Sequence, residues 1–129
     1  MTDSPSPVPA LHALEAEVMD AVWDAEETSV RDVMEALNTT ASKPRAYTTY
    51  MTILGRLHTK GLLTRRREGK TDFYAPVYTR TQYADLRAEA EVAALVDAFG
   101  DVALSHFARQ VADLDPERRK ALERTARAR

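Results

Sequence analysis

Between Ala46 and Lys60 the chain places Thr48, Thr49, Met51, Thr52, Gly55, Arg56 and Thr59 around an apolar series of Tyr50, Ile53, Leu54 and Leu57. The apolar series has helical spacing, so it faces a core and leaves the other residues outward. That outer face holds short hydroxyls, one small gap and one forked cation, and it carries no acid. A helix made for the DNA major groove needs this set. Arg grips guanine O6 and N7, while Thr touches a thymine methyl or a phosphate. An ordinary solvated helix face mixes Glu with Lys instead.

Cations lie on both sides of this helix. Lys43 and Arg45 precede it, and Arg65, Arg66, Arg67 and Lys70 follow in a segment with β character. Strand alternation sends Arg66 to the face opposite Arg65 and Arg67, so one surface cannot receive all three. At least one pair is expected on phosphate, with Lys70 at the turn reaching the flanking backbone or the minor groove. The Tyr47 hydroxyl is placed either to meet a phosphate or to pack against the hairpin.

Charge along the chain agrees with this reading. The net charge of −2 conceals a strong division. Residues 11–38 carry eight acids and one base, whereas residues 43–70 carry eight bases and one acid. Segregation of this size marks a polyanion-binding face or an internal dipole, and the acid-free helix favours the former.

Other chemistries find little support. The chain has no cysteine, which excludes disulfide scaffolds, iron–sulfur clusters, thiolate zinc sites and cysteine nucleophiles. His12, His58 and His106 share no ligand spacing, so no metal is expected. Glu15 and Glu17 are two apart on a helix and diverge, which is not a catalytic carboxylate pair. Four glycines leave no phosphate-cradling loop. The adjacency of Ser105 and His106 is not triad geometry. Trp23 reads as a core anchor. No enzyme and no cofactor are expected.

The elements that must position these residues follow from periodicity and punctuation. Residues 1–10 hold three of the six prolines and read as a disordered arm. A first helix runs from about Leu11 to Ala25 on Leu11, Leu14, Val18, Ala21 and Val22. Ser29, with Asp32 three residues on, caps a second helix carrying Val30, Val33, Met34 and Leu37. Residues 38–45 form a turn, in which Pro44 disfavours helix at Lys43. The third helix is the one with the outward threonines, closed by Gly61. Two β-capable runs around Glu68–Thr71 make a hairpin, with Pro76 at an edge or exit.

Helix resumes at about Thr79, breaks at Gly100 and continues to Leu114, and a new start follows at Asp115-Pro116. The polar tail beyond it is expected to fray. Tyr83, Leu86, Ala93, Val96, Leu104, Phe107, Val111 and Leu114 line one side of this region. A winged helix closes its own core, so this stripe is expected to pair with a second copy of the chain.

Three helices and a hairpin with this charge pattern form the winged variant of helix-turn-helix. The segments LHALEAEVMDAVWD, AYTTYMTILGRLHTKGLL and FYAPV resemble the penicillinase-repressor (BlaI/MecI/CopY) family over about residues 11–115. The resemblance implies a dimeric winged-helix repressor acting on palindromic operators. It places the family's groove-facing positions on Thr48, Thr49, Met51, Thr52 and Arg56. The copper-sensing branch uses a C-terminal cysteine motif and is excluded by the absence of cysteine. Asp72 stands where the family's wing commonly has an aromatic residue. In the β-lactam-responsive members a membrane-linked metalloprotease cuts the dimerisation region; Ala98-Phe99-Gly100 lies near that place, without a match that carries the cleavage site over.

The expected fold is mostly α with a small β-hairpin: a winged helix-turn-helix domain over 11–78 and a helical dimerisation region over 79–129. The expected function is a sequence-specific, homodimeric transcriptional repressor on double-stranded operator DNA. Helix 46–60 would lie in the major groove and wing 62–76 on the backbone. Two alternatives stay open, a winged helix serving as a protein-interaction module and a repressor gated by an effector between C-terminal helices. No apolar run approaches the length of a membrane span, and the first residues lack an export signal, so membrane insertion is not expected and the chain reads as cytoplasmic.

Overall fold

A computed structural model describes residues 8–128 of the chain. Among the described residues six helices and three short strands follow one another: α1 (Ala13–Ala25), β1 (Thr28–Ser29), α2 (Val30–Asn38), α3 (Tyr47–Thr59), β2 (Leu63–Glu68), β3 (Thr71–Pro76), α4 (Arg80–Phe99), α5 (Asp101–Ala112) and α6 (Pro116–Arg127). The chain divides into two compact units, Met1–Ala88 and Glu89–Arg129.

The first unit is a winged helix. Val18, Met19 and Val22 of α1, Val30 and Val33 of α2, and Tyr50, Ile53, Leu54 and Leu57 of α3 form its core, with Leu62, Leu63 and Tyr74 from the hairpin. The inward face of α3 is the one its spacing predicts. Ser29 accepts from the Asp32 amide at 3.2 Å and caps α2. The hairpin pairs Leu63 with Pro76 and Glu68 with Thr71, and Gly69 takes φ +63° in its turn. Only glycine enters that backbone region without strain.

The sheet has a third strand that periodicity does not reveal. Thr28 and Ser29 pair with Tyr74 and Phe73, giving the order β1-β3-β2. Two residues are too few to show alternation, and Ser29 serves at once as strand end and helix cap.

The division between units falls at 88/89 instead of 78/79. The start of α4 belongs to the winged helix because it is fastened there. Arg80 lies on Asp20 and Asp24, its guanidinium 5.2 Å from the Trp23 ring centroid. The Tyr83 hydroxyl donates to the Pro9 carbonyl at 2.6 Å, and Arg87 donates to the Val8 carbonyl at 3.1 Å. Tyr83 and Leu86, expected in the pairing stripe, pack instead against the core of the first unit. Burial raises the Tyr83 hydroxyl above its ordinary pKa.

The expectation of a disordered arm over 1–10 is corrected at its end. Val8 is buried in the core and Pro9 is held by Tyr83. Residues 1–7 lie outside the described residues. Trp23 is packed on the core as expected, its Nε1 donating to the Tyr78 carbonyl at 2.9 Å.

In the second unit Gly100, at φ +58°, separates α4 from α5, and Asp115 accepts from the Arg118 amide at 2.9 Å to start α6. α6 continues to Arg127 where fraying was expected. Its cap, proline in the first turn and basic last turn all favour helix without an apolar face. No helix is long and apolar enough to cross a membrane among the described residues.

Candidate nucleic-acid interface

The turn before α3 is built around Asn38, a residue that periodicity does not single out. Its side chain donates to the Arg45 carbonyl at 2.9 Å and accepts from the Arg45 amide at 3.1 Å. The same Oδ1 accepts from the buried Tyr50 hydroxyl at 2.7 Å. One amide therefore closes the α2–α3 turn and fixes its far side to the core face of α3. Such a role leaves no periodic signal; an Asn at a helix end, ahead of a turn, was the one available hint.

The far end of α3 is held by an ion pair. Lys60 Nζ lies 2.9 Å from both carboxylate oxygens of Glu15, which is 1% exposed. Burial pushes the Glu15 carboxyl up. The His12 amide at 2.9 Å and the Lys60 ammonium outweigh that and hold it below the ordinary carboxylate range. A buried acid at a helix position spaced for core was invisible to a hydrophobic count. It makes sense only with its partner.

With both ends fixed, α3 presents Thr48, Met51, Thr52 and Arg56 as exposed residues, while Thr49 is half-buried. Met51 is 46% exposed, unusual for its type, and stands in the centre of this face. Gly55 has nothing within 4 Å of the position a Cβ would take. A mid-helix glycine costs about 1 kcal/mol relative to alanine, and no neighbour among the described residues requires it. The space it leaves opens outward.

A groove of about 530 Å³ runs between this helix and the wing. Val30, Arg31 and Asp32 of α2, Tyr47 and Met51 of α3, and Lys70, Asp72 and Phe73 of the wing line it. Tyr47 is thus placed at the meeting of helix and wing, 44% exposed. Arg31, at the start of α2, is a further exposed cation on the same groove, isolated in an acidic stretch of sequence.

The expected backbone cations separate into two sets. Lys43, Arg56, Arg65 and Lys70 engage no carboxylate among the described residues. Arg45 lies a loose 3.9 Å from Glu17, and Arg67 lies 3.4 Å from Asp72, its partner across the hairpin. Arg66 differs from all of them. Its Nε and Nη2 donate to the two Glu27 oxygens, each at 2.8 Å, and Nη1 donates to Glu68 at 2.6 Å. These carboxylates raise its already high pKa, and Arg66 in turn holds Glu27 below the ordinary range. Arg66 therefore engages three of its five N–H donors with carboxylates of its own chain, which argues against the backbone contact expected of it.

In the second unit the expected stripe is only part of the apolar surface. Val96, Phe107, Val111 and Leu114 are half-buried, and Ala93 and Leu104 are exposed. Val92, Leu95 and Val102, which have no place in that stripe, are exposed as well, and so is Phe99, which lies loosely along it. Their spacing of three, four and three residues is itself helical, so the sequence held a second stripe beside the one that was followed. Leu95, Phe99, Val102, Ala103, His106 and Phe107 surround an apolar hollow of about 300 Å³. No cluster of side chains suited to a metal ion occurs among the described residues.

Residues 11–128 match the penicillinase repressor family. The transcriptional regulators BlaI of two Mycobacterium tuberculosis strains, CDC 1551 / Oshkosh and ATCC 25618 / H37Rv, are each 40% identical over 112 residues. The alignment covers 84% of this chain and 80% of theirs. The solution structure of the DNA-binding domain of the repressor BlaI superposes with a TM-score of 0.51 at 29% identity, covering 59% of this chain and 90% of that one.

Proposed function

The chain belongs to the penicillinase repressor family, and we propose that it acts as a homodimer on near-palindromic operators, α3 entering the major groove and the wing lying on the backbone. It is a winged-helix transcriptional repressor and not an enzyme. In this reading Thr48, Thr49, Met51, Thr52 and Arg56 meet base edges, while Lys43, Arg45, Tyr47, Arg65, Arg67 and Lys70 hold phosphates.

The observation that carries it is the outer face of α3: largely exposed, free of acid, and flanked by Lys43, Arg65 and Lys70, which engage no carboxylate among the described residues. A protein-interaction module with an acidic partner would use the cations equally well. It would have no use for a row of threonines and a solvent-facing methionine around a glycine gap. The exposed apolar side chains of the second unit support pairing, and a two-fold pair sets its recognition helices about 34–36 Å apart, one turn of DNA.

Two measurements on one series of duplexes test this reading. With about three to five phosphate contacts per protomer, the affinity of the dimer for the promoter of the chain's own operon should fall with salt on a log–log slope of about −5 to −9. A slope flatter than about −2 would contradict DNA as the ligand. Arg56→Ala should weaken promoter binding by about 1–3 kcal/mol and relax preference at one base pair per half-site. Equal weakening on random duplex would make Arg56 a phosphate contact instead.

A further inference from the structure

The wing is joined to the helical body by little backbone. β1 contributes two residues and two register pairs, Thr28 with Tyr74 and Ser29 with Phe73. Leu63 and Tyr74 bury the base of the hairpin in the core, and beyond that base few backbone hydrogen bonds hold the wing against the body. Side chains on one sheet face add what the backbone lacks. Arg66, on the outer strand β2, stands opposite Phe73 of the central strand. Its guanidinium crosses the Phe73 ring, 4.8 Å from the centroid, and closes on Glu27 with two bonds of 2.8 Å. Glu27 belongs to the connection between α1 and β1. The side chain therefore spans the whole width of the sheet, from its last strand to the segment leading into the first.

Arg65 and Arg67 project from the other face, where Arg65 stands opposite the buried Tyr74. We propose that Arg66 is a positioning residue for DNA binding: its grip on Glu27 across Phe73 latches the wing at a fixed angle to α3, so that Arg65, Arg67 and Lys70 reach the phosphates together. The assignment rests on the DNA-binding reading above. An exposed ion pair adds little stability of its own. A forked, two-bond contact stacked on a ring nevertheless fixes direction, and direction is what a jointly used set of cations requires.

Glu27 gives the latch a test of sign. Glu27→Gln removes a negative charge from the neighbourhood of a polyanion, so electrostatics alone would tighten binding. The latch requires the opposite. Glu27→Gln and Arg66→Gln in the full chain should each weaken binding to the promoter duplex about three- to tenfold, with the salt slope unchanged, because no phosphate contact is lost. The exchanged pair, Glu27→Arg with Arg66→Glu, should restore most of the loss. Amide hydrogen exchange in β2 and β3 of the protein without DNA should quicken in both single variants and slow again in the exchanged pair.

Binding that is unchanged or tighter in Glu27→Gln would overturn the proposal. A slope flattened by about one in Arg66→Gln would also overturn it, since Arg66 would then be a phosphate contact. A wild-type chain that binds neither promoter nor random duplex would refute the DNA reading itself. The latch would then be judged by exchange alone, and unchanged protection in both single variants would refute it.

Discussion

In the first unit Val18, Val22, Tyr50, Leu54 and Leu57 are wholly excluded from solvent, while in the second unit Ala103 alone among the described residues is buried. Phe99 and Val102 of the second unit are 61% and 62% exposed. Both units are amphipathic and both form regular helices. They differ in whether the apolar face finds a partner within the chain. The winged helix closes around its own core, and its one buried acid among the described residues, Glu15, has a cation partner. The second unit presents side chains that water disfavours by about 1.5–3 kcal/mol each when large and fully exposed. A self-sufficient reader and an incomplete helical unit make a coherent molecule if the second unit is completed by another copy.

The largest expected effect comes from deleting the same side chain in each place. Leu54→Ala should destabilise the folded chain by about 2–5 kcal/mol, the cost of lost burial and a cavity. Leu104→Ala, at a residue 49% exposed, should change the unfolding free energy of the dilute chain by less than about 0.5 kcal/mol. It should instead weaken self-association, seen by light scattering over a concentration series. Comparable losses of stability at both sites in dilute solution would break the contrast.

That contrast also explains what was legible in the sequence. The core face of α3 and its outward threonines follow from one periodicity, because in a helix that packs within its own domain spacing maps directly onto burial. In α4 the same logic went astray. Tyr83 and Leu86 have stripe spacing but cover the first unit, and Val92, Leu95 and Phe99 have equally good spacing and face outward. A helix that serves two units has no single inward direction. Glu15, Asn38 and the two-residue β1 escaped for another reason. Each acts through a partner distant in the chain (Lys60, Tyr50 and β3), and pairing across 45 residues or 12 leaves no local pattern. Alternation did separate Arg66 from Arg65 and Arg67, although not the reason for it.

A smaller effect sharpens the comparison through acid. The folded chain holds the Glu15 carboxyl below its ordinary range, so the stability this group contributes is present above the unfolded carboxylate pKa of about 4.3 and is lost as pH falls through the folded value. Denaturant unfolding between pH 7 and pH 3 should show that loss, and Glu15→Gln should flatten it. Lys60→Met leaves the buried acid with only the His12 amide and should cost about 1–3 kcal/mol at pH 7, between the values for exposed and buried pairs. The second unit has no buried acid among its described residues, so self-association should not follow the same profile. An acid dependence that Glu15→Gln leaves intact would place its source elsewhere.

The measurement that reaches the central claim most directly is truncation after Ala88, which keeps Arg80, Tyr83 and Leu86 on the core they cover. Light scattering gives the mass, and titration on half and whole operator duplexes gives the affinities. The full chain should have twice the mass of its protomer and bind the whole operator far more tightly than the half. The truncated chain should be a folded monomer that binds both weakly, its affinity for the whole operator lowered by about 10²–10⁴, the gain that linking two binding modules provides. A truncated chain that stayed dimeric, or that held the whole operator as tightly as the full chain, would contradict the division between reading and pairing.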